Sequence, residues 1–146
     1  MTKVTIYTDG GCKPNPGMGG WAAVLRNGDR LEEISGGEDD TTNNRMELLS
    51  VISALEILSC SCEIELFTDS KYVQQGITEW MPKWIAKDWK TAAKKPVKNK
   101  DLWVRLNAIV SKHQVTFRWV RGHIGNVYNE LCDVLCTKEI DKRRDC

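Results

Sequence analysis

Four carboxylates, Asp9, Glu47, Asp69 and Asp133, stand where this sequence otherwise places apolar side chains. Asp9 follows the run Val4-Thr5-Ile6-Tyr7-Thr8 and precedes Gly10-Gly11, while Asp69 follows Ile64 to Thr68 and precedes a turn. Each closes a β-favouring segment, where a desolvated charge is costly unless something cationic meets it. Glu47 shares a helical stripe with Val51, Ala54 and Leu58 at i+4, i+7 and i+11, and Asp133 has Cys136 and Ile140 at i+3 and i+7. Singly, each acid has an ordinary structural explanation. Asp69 can cap a helix, Asp9 can accept from turn amides, and Glu47 and Asp133 can pair with Arg45 or Lys138. Together they lack a matching set of buried cations. Clustered carboxylates repel and raise one another's pKa unless a divalent ion neutralises them, and carboxylate and water ligands favour Mg²⁺ or Mn²⁺ over zinc. His123 lies in the glycine-flanked loop Arg121-Gly122-His123-Ile124-Gly125. A reference pKa near 6.5 suits it to proton transfer, although a lone histidine is more often a satisfied structural residue. His113, at the end of a lysine-containing helix, takes the structural reading.

The elements that position these groups follow from periodicity. Val4 to Thr8 is apolar on both faces and reads as a strand in the middle of a sheet. Trp21 to Leu25 is a second strand, Asn27-Gly28 predicts a type I′ hairpin, and Leu31 to Ile34 is a third strand ending at Gly36-Gly37. Glu38 to Thr42 reads as a polar loop, with Thr42 or Asn43 capping a helix that runs to about Leu58. Cys62 to Thr68 is a strand, and its helical connection to the meander implies a parallel pair with a right-handed crossover. Ser70 caps a short helix that Gly76 closes. Helices over about 100–112 and 128–142 flank a fifth strand, Val115 to Val120. No internal repeat, low-complexity tract or linker divides the 146 residues, which fit one domain, 1–146.

The chain carries a net charge of +1, but residues 80–100 hold seven lysines against Asp88, a segment charge of +6 that leaves −5 on the remainder. The molecule is therefore polarised, a cationic segment on an acidic body. No apolar run approaches the ~18 residues a membrane span needs, and no signal segment precedes the first strand, so the expected compartment is cytoplasmic. The six cysteines match no usual zinc spacing, and a reducing compartment makes most of them small buried hydrophobes.

Six motifs now stand in order: Tyr7-Thr8-Asp9-Gly10-Gly11-Cys12, Asn15-Pro16-Gly17, Thr42-Asn43-Asn44-Arg45-Met46-Glu47, Thr68-Asp69-Ser70, Trp119-Val120-Arg121-Gly122-His123 and Asn129-Glu130-x-x-Asp133. In this ordered set the chain resembles ribonuclease H of type 1 over almost its whole length. Its segment from Trp80 to Trp103 resembles the basic protrusion of the free-standing bacterial enzymes. The resemblance implies an α/β fold, a five-stranded mixed sheet of order 3-2-1-4-5 flanked by helices. It implies metal ligation by Asp9, Glu47, Asp69 and Asp133, with two ions in the substrate complex and His123 assisting proton transfer or product departure. The implied activity is hydrolysis of the RNA strand of an RNA/DNA hybrid, leaving 5′-phosphate and 3′-hydroxyl ends. By the same resemblance Asn15, Asn43 and Asn44 reach the minor groove, the main chain near Cys12 meets 2′-hydroxyls, and Thr42 holds a DNA phosphate. The implied phosphate-tracking residues are Lys83, Lys87, Lys90, Lys94, Lys95 and Lys98, with Trp84 and Trp89 able to offer a face to the nucleic acid and Trp80 and Trp103 read as packing. Three positions depart from the family pattern: Cys132 and Cys136 stand for small residues, Val127-Tyr128 for a proline, and Lys71 for a glutamine. The expected state is a monomer. A ribonuclease H domain of a reverse transcriptase and a non-catalytic hybrid-binding module are the alternatives. Met1 and a chain complete at both ends favour the free-standing enzyme over the first, and the full set of four acids favours catalysis over the second.

Overall fold

The computed structural model describes residues 1–120 and 126–144. Five strands, β1 (Thr2–Cys12), β2 (Gly17–Asn27), β3 (Arg30–Thr41), β4 (Cys62–Thr68) and β5 (Gln114–Trp119), form one sheet in the order β3-β2-β1-β4-β5. β1 pairs antiparallel with β2 from Thr5↔Arg26 to Cys12↔Gly19, and parallel with β4 from Thr2↔Cys62 to Tyr7↔Phe67. β5 adds to β4 in parallel. The central place of β1 follows from its side chains, which are apolar on both faces. Val4 and Ile6 face a core shared with Leu25, Val51, Leu66 and Trp103, and Tyr7 faces a second core with Val24, Cys132, Cys136 and Ile140.

Helix α1 (Asn43–Glu56) covers the first face and α5 (Val127–Arg144) the second. Thr42 caps α1, its Oγ1 accepting from the Arg45 backbone N–H at 3.3 Å. Helix α4 (Lys100–Val110) packs outside α1, and Arg45 joins their N-termini by donating to both carboxylate oxygens of Asp101, at 3.0 and 2.8 Å. Arg45 is thereby committed away from Glu47. No helix among the described residues is long and apolar enough to cross a membrane.

Several expectations change. The hairpin turn centres on Gly28-Asp29, with φ of 62° at Gly28 and no positive φ at Asp29, the glycine-first type II′ arrangement rather than I′. β3 continues through the acidic 38–41 stretch read as a loop, because these residues pair with Gly17 and Gly19 on an edge strand that tolerates charge. α1 ends at Glu56 rather than Leu58. Gly76 does not close the helix α2 (Lys71–Gln75): its φ of −60° and ψ of −45° are helical, and the chain runs on through a π-helical turn (Gly76–Trp80) into α3 (Met81–Ala86). Glycine is required there for close approach. A Cβ at Gly76 would lie 2.5 Å from Cζ2 and 2.7 Å from Cζ3 of the fully buried Trp103.

Candidate active site

The parallel register of β1 and β4 stops at Tyr7↔Phe67, while β1 continues against β2 to Cys12. Carried two residues further, that register sets Asp9 beside Asp69, at the C-terminal end of the parallel pair. α1 delivers the third acid. Its backbone crosses β1 at Gly10 so closely that a Cβ there would lie 2.5 Å from the Glu47 nitrogen and 2.6 Å from the Met46 carbonyl oxygen. One carboxylate oxygen from each of Asp9, Glu47 and Asp69 falls within 4.8 Å of the others.

The electrostatics of this trio are those of a cation site. Burial raises the Glu47 carboxyl well above the ordinary range, and the charges of Asp9 and Asp69 raise it further, against the Gly10 amide facing it. Glu47 Oε2 is buried with no hydrogen-bond partner among the described residues. An acceptor left without a donor beside two further acids is stabilised by a hard divalent ion, for which an all-carboxylate donor set is suited.

Asp133 is exposed on α5 and lies outside the trio. The buried face of that helix is made by Asn129, Cys132, Cys136, Glu139 and Ile140, so Asp133 sits beside the stripe on which its spacing had placed it. His123 lies outside the described residues. Asn15 is exposed in the turn between β1 and β2, and its Oδ1 accepts from the Asn43 backbone N–H at 3.1 Å. With Thr42 as cap and Asn44 half-buried in the first turn, these residues form one platform at the start of α1. Cys12 is buried beneath it, its thiol donating to the Pro14 carbonyl oxygen at 3.1 Å.

Lys83, Lys87, Lys90, Lys94, Lys95 and Lys98 are all exposed, and the ion pair found for them among the described residues is Lys90 with Asp88 at 3.9 Å. Trp84 and Trp89 belong to the scaffold beneath them. Trp84 packs edge-on to Trp103 at 5.5 Å and Trp89 lies 6.5 Å from Trp84, both half-buried against the core. The backbone of the arm turns through positive φ at Asp88, Trp89, Lys94 and Asn99.

A family model for RNase H matches residues 1–141 of this chain. The chain belongs to the RNase H family. It is 54% identical to the Ribonuclease H of Alcanivorax borkumensis over 144 residues, covering 99% of this chain and 95% of that one. It is 58% identical to the Ribonuclease HI of Caulobacter vibrioides over 136 residues, covering 93% and 91%. Among solved structures it resembles LC9-RNase H1, a type 1 RNase H with the type 2 active-site motif, with a TM-score of 0.87 and 28% identity over 98% of this chain and 74% of that one. It also resembles LC11-RNase H1, solved in complex with an RNA/DNA hybrid, with a TM-score of 0.71 and 25% identity over 95% and 97%. The 3-2-1-4-5 sheet is the fold that the resemblance implied.

Two residues that stand in the quoted motifs, but to which the sequence reading gave no role of their own, are distinguished by their surroundings. Trp119, the last residue of β5, donates its indole N–H to the Asp69 carbonyl oxygen at 3.0 Å, and Lys71 places its ammonium 5.4 Å from the centre of that ring. The parallel register Thr68↔Trp119 was the available signal, since it puts Trp119 beside the residue that precedes Asp69. Asn129 is the second. Its Oδ1 and Nδ2 are buried with no hydrogen-bond partner among the described residues, a pattern that its helical position alone does not reveal.

Proposed function

We propose that this chain, as a single-domain monomer in the cytoplasm, hydrolyses the RNA strand of RNA/DNA hybrids with Mg²⁺ or Mn²⁺, leaving 5′-phosphate and 3′-hydroxyl ends. The observation that carries the proposal is the trio Asp9, Glu47 and Asp69, together with a buried Glu47 Oε2 that has no hydrogen-bond partner among the described residues. Family membership and the bacterial relatives named ribonuclease H support the same reading. Two divalent ions bound with substrate supply an activated water and stabilisation of the leaving 3′-oxygen. Asp9, Glu47 and Asp69 would hold the ions with Asp133 of α5 as the fourth ligand, and His123 would move a proton or assist product departure. Asn15, Thr42, Asn43, Asn44 and the main chain at Cys12 form the platform that reads 2′-hydroxyls and groove shape, the features that distinguish a hybrid from duplex DNA. The exposed lysines of the arm follow phosphates and add affinity without sequence reading.

The test is incubation of an end-labelled hybrid with and without Mg²⁺. Cleavage of the RNA strand only with the ion, and none of an all-DNA duplex, is the expected result. Tight binding without cleavage would favour the hybrid-binding module instead.

A further inference from the structure

Away from the acids, one place in the fold brings two thiols together. Cys60, in the connection between α1 and β4, is exposed, and Cys62, the first residue of β4, is buried. Their Sγ atoms lie 3.8 Å apart. Cys62 is held in place: its backbone N–H donates to His113 Nδ1 at 3.0 Å, it pairs with Thr2 of β1, and its thiol lies 3.3 Å from the Cys60 carbonyl oxygen. Cys60 is fixed by no strand or helix and stands between the exposed Ser59 and Ser61. Both cysteines line an open cavity of about 490 Å³, whose wall also includes Arg30, Glu32, Leu31 and Ile57. That volume is sufficient for a small molecule.

We propose that Cys60-Ser61-Cys62 is a thiol–disulfide exchange site that takes a low-molecular-weight disulfide and closes to an internal disulfide. The exposed Cys60 thiolate attacks one sulfur of the external disulfide. That S–S bond breaks, a mixed disulfide forms on Cys60, and the first small thiol leaves, taking a proton from water. Cys62 then gives its proton to solvent and attacks Cys60 Sγ. The bond between Cys60 and the small molecule breaks, the Cys60–Cys62 bond forms, and the second small thiol leaves protonated. Two protein thiols are oxidised and one disulfide is reduced to two thiols, so no further oxidant is needed.

The order follows from accessibility. Burial raises the Cys62 thiol pKa, which favours it as the resolving group, whereas Cys60 meets solvent. Closing the pair from 3.8 Å to the ~2.05 Å of a disulfide requires a shift of under about 2 Å, which falls on the exposed Cys60. The buried Cys12, Cys132 and Cys136 offer poor competition, their thiols donating to the carbonyl oxygens of Pro14, Tyr7 and Gly20 and all raised by burial. The site is also separate from the acid trio. β4 runs from Cys62 to Thr68 before reaching Asp69, roughly 20 Å at ~3.3 Å per residue.

The experiment uses the full chain, fully reduced and then freed of reductant, with glutathione disulfide as the probe and mass spectrometry of the non-reduced tryptic digest. Peptide 46–71 contains Cys60 and Cys62 and no other cysteine. The expected product is this peptide lighter by two hydrogens, restored by reduced glutathione. Cys62→Ser should stop at a stable glutathione adduct on Cys60, with Cys62→Ala in reserve if the serine variant fails to fold. Cys60→Ser should react at least about tenfold more slowly in this peptide, its remaining thiol being buried. An unmodified peptide, a stable adduct on Cys60 in the parent, or a Cys60→Ser variant that reacts at the parental rate would overturn the proposal.

Discussion

Gly76→Ala is the substitution on which two physical effects oppose each other most directly. The backbone at Gly76 is helical, so alanine would ordinarily stabilise the chain by roughly 0.5–1 kcal/mol through lost unfolded-state freedom. Against this stands Trp103, whose indole would lie inside van der Waals contact of the new methyl. That ring cannot easily yield. It is fully buried, donates its indole N–H to Tyr72 Oη at 3.1 Å, and packs 5.4 Å from the Tyr72 ring and 5.5 Å from Trp84. Overpacking of this kind typically costs about 1–3 kcal/mol. The net loss should be about 1–2 kcal/mol, lowering Tm by roughly 3–8 °C in a chain of this size. Thermal melts by circular dichroism read the change, and tryptophan fluorescence should shift with it because the displaced ring belongs to a cluster of indoles. A Tm equal to or above that of the parent would refute the reasoning and show that the Trp103 ring yields to the added methyl.

Three more perturbations test other parts of the structure. Glu47→Gln should abolish hybrid cleavage while leaving the metal-free protein no less stable at neutral pH. In the folded parent Glu47 keeps its proton to higher pH than the unfolded chain does, so the parent in EDTA should lose stability as pH rises from about 4.3 through the raised folded value. Melts of both proteins across that range should show the loss in the parent alone. Changing Lys87, Lys94 and Lys95 to alanine should raise KM with kcat nearly unchanged, and reduce the slope of log affinity against log salt by up to about 3 at ~0.9 per phosphate contact. A large loss of single-turnover rate at saturating enzyme would instead place these lysines in catalysis or folding. Arg45→Ala should cost only about 0.5–1 kcal/mol, because its partner Asp101 is 64% exposed. Arg45 holds the Asp101 carboxyl below the usual range, so in urea titrations this contribution should be present above the unfolded aspartate pKa of about 3.9 and fade as pH falls through the lowered folded value.

Much of this fold was legible where a local pattern and its tertiary use agree. The bounds of β4, Cys62–Thr68, were readable and the cap of α1 was narrowed to Thr42 or Asn43, of which Thr42 takes the role, because strand alternation and a side-chain acceptor act over a few residues. Asp9 and Glu47 were readable as charges at buried positions and Asp69 as one at a half-buried strand end. Gly76 was misread because a glycine after a short helix has two uses, a left-handed cap or close approach, and only the position of Trp103, far along the chain, decides between them. The 38–41 stretch was misread because its acids face water on an edge strand, where propensity is weak and pairing decides. Asp133 illustrates a finer loss. A stripe at i+3 and i+7 locates a residue to within one position around a helix, and here that position separates buried Cys132 from exposed Asp133. The roles of Trp84 and Trp89 depended on an aromatic cluster assembled from three separate segments, which no spacing encodes.

The crossing of α1 over β1 at Gly10 bears on how this chain can drift under mutation. Glu47 is spaced from Asp9 by main chain resting on main chain, not by the fit of interdigitating side chains. The apolar face of α1, with Leu48, Val51, Ile52 and Leu55, is therefore free to exchange volume among its members over generations while the distance between the acids stays constant. The tolerance has a single point of failure. Any substitution at Gly10, even the smallest, inserts a carbon where two backbones already touch, so lineages that vary freely across the helix should never vary there.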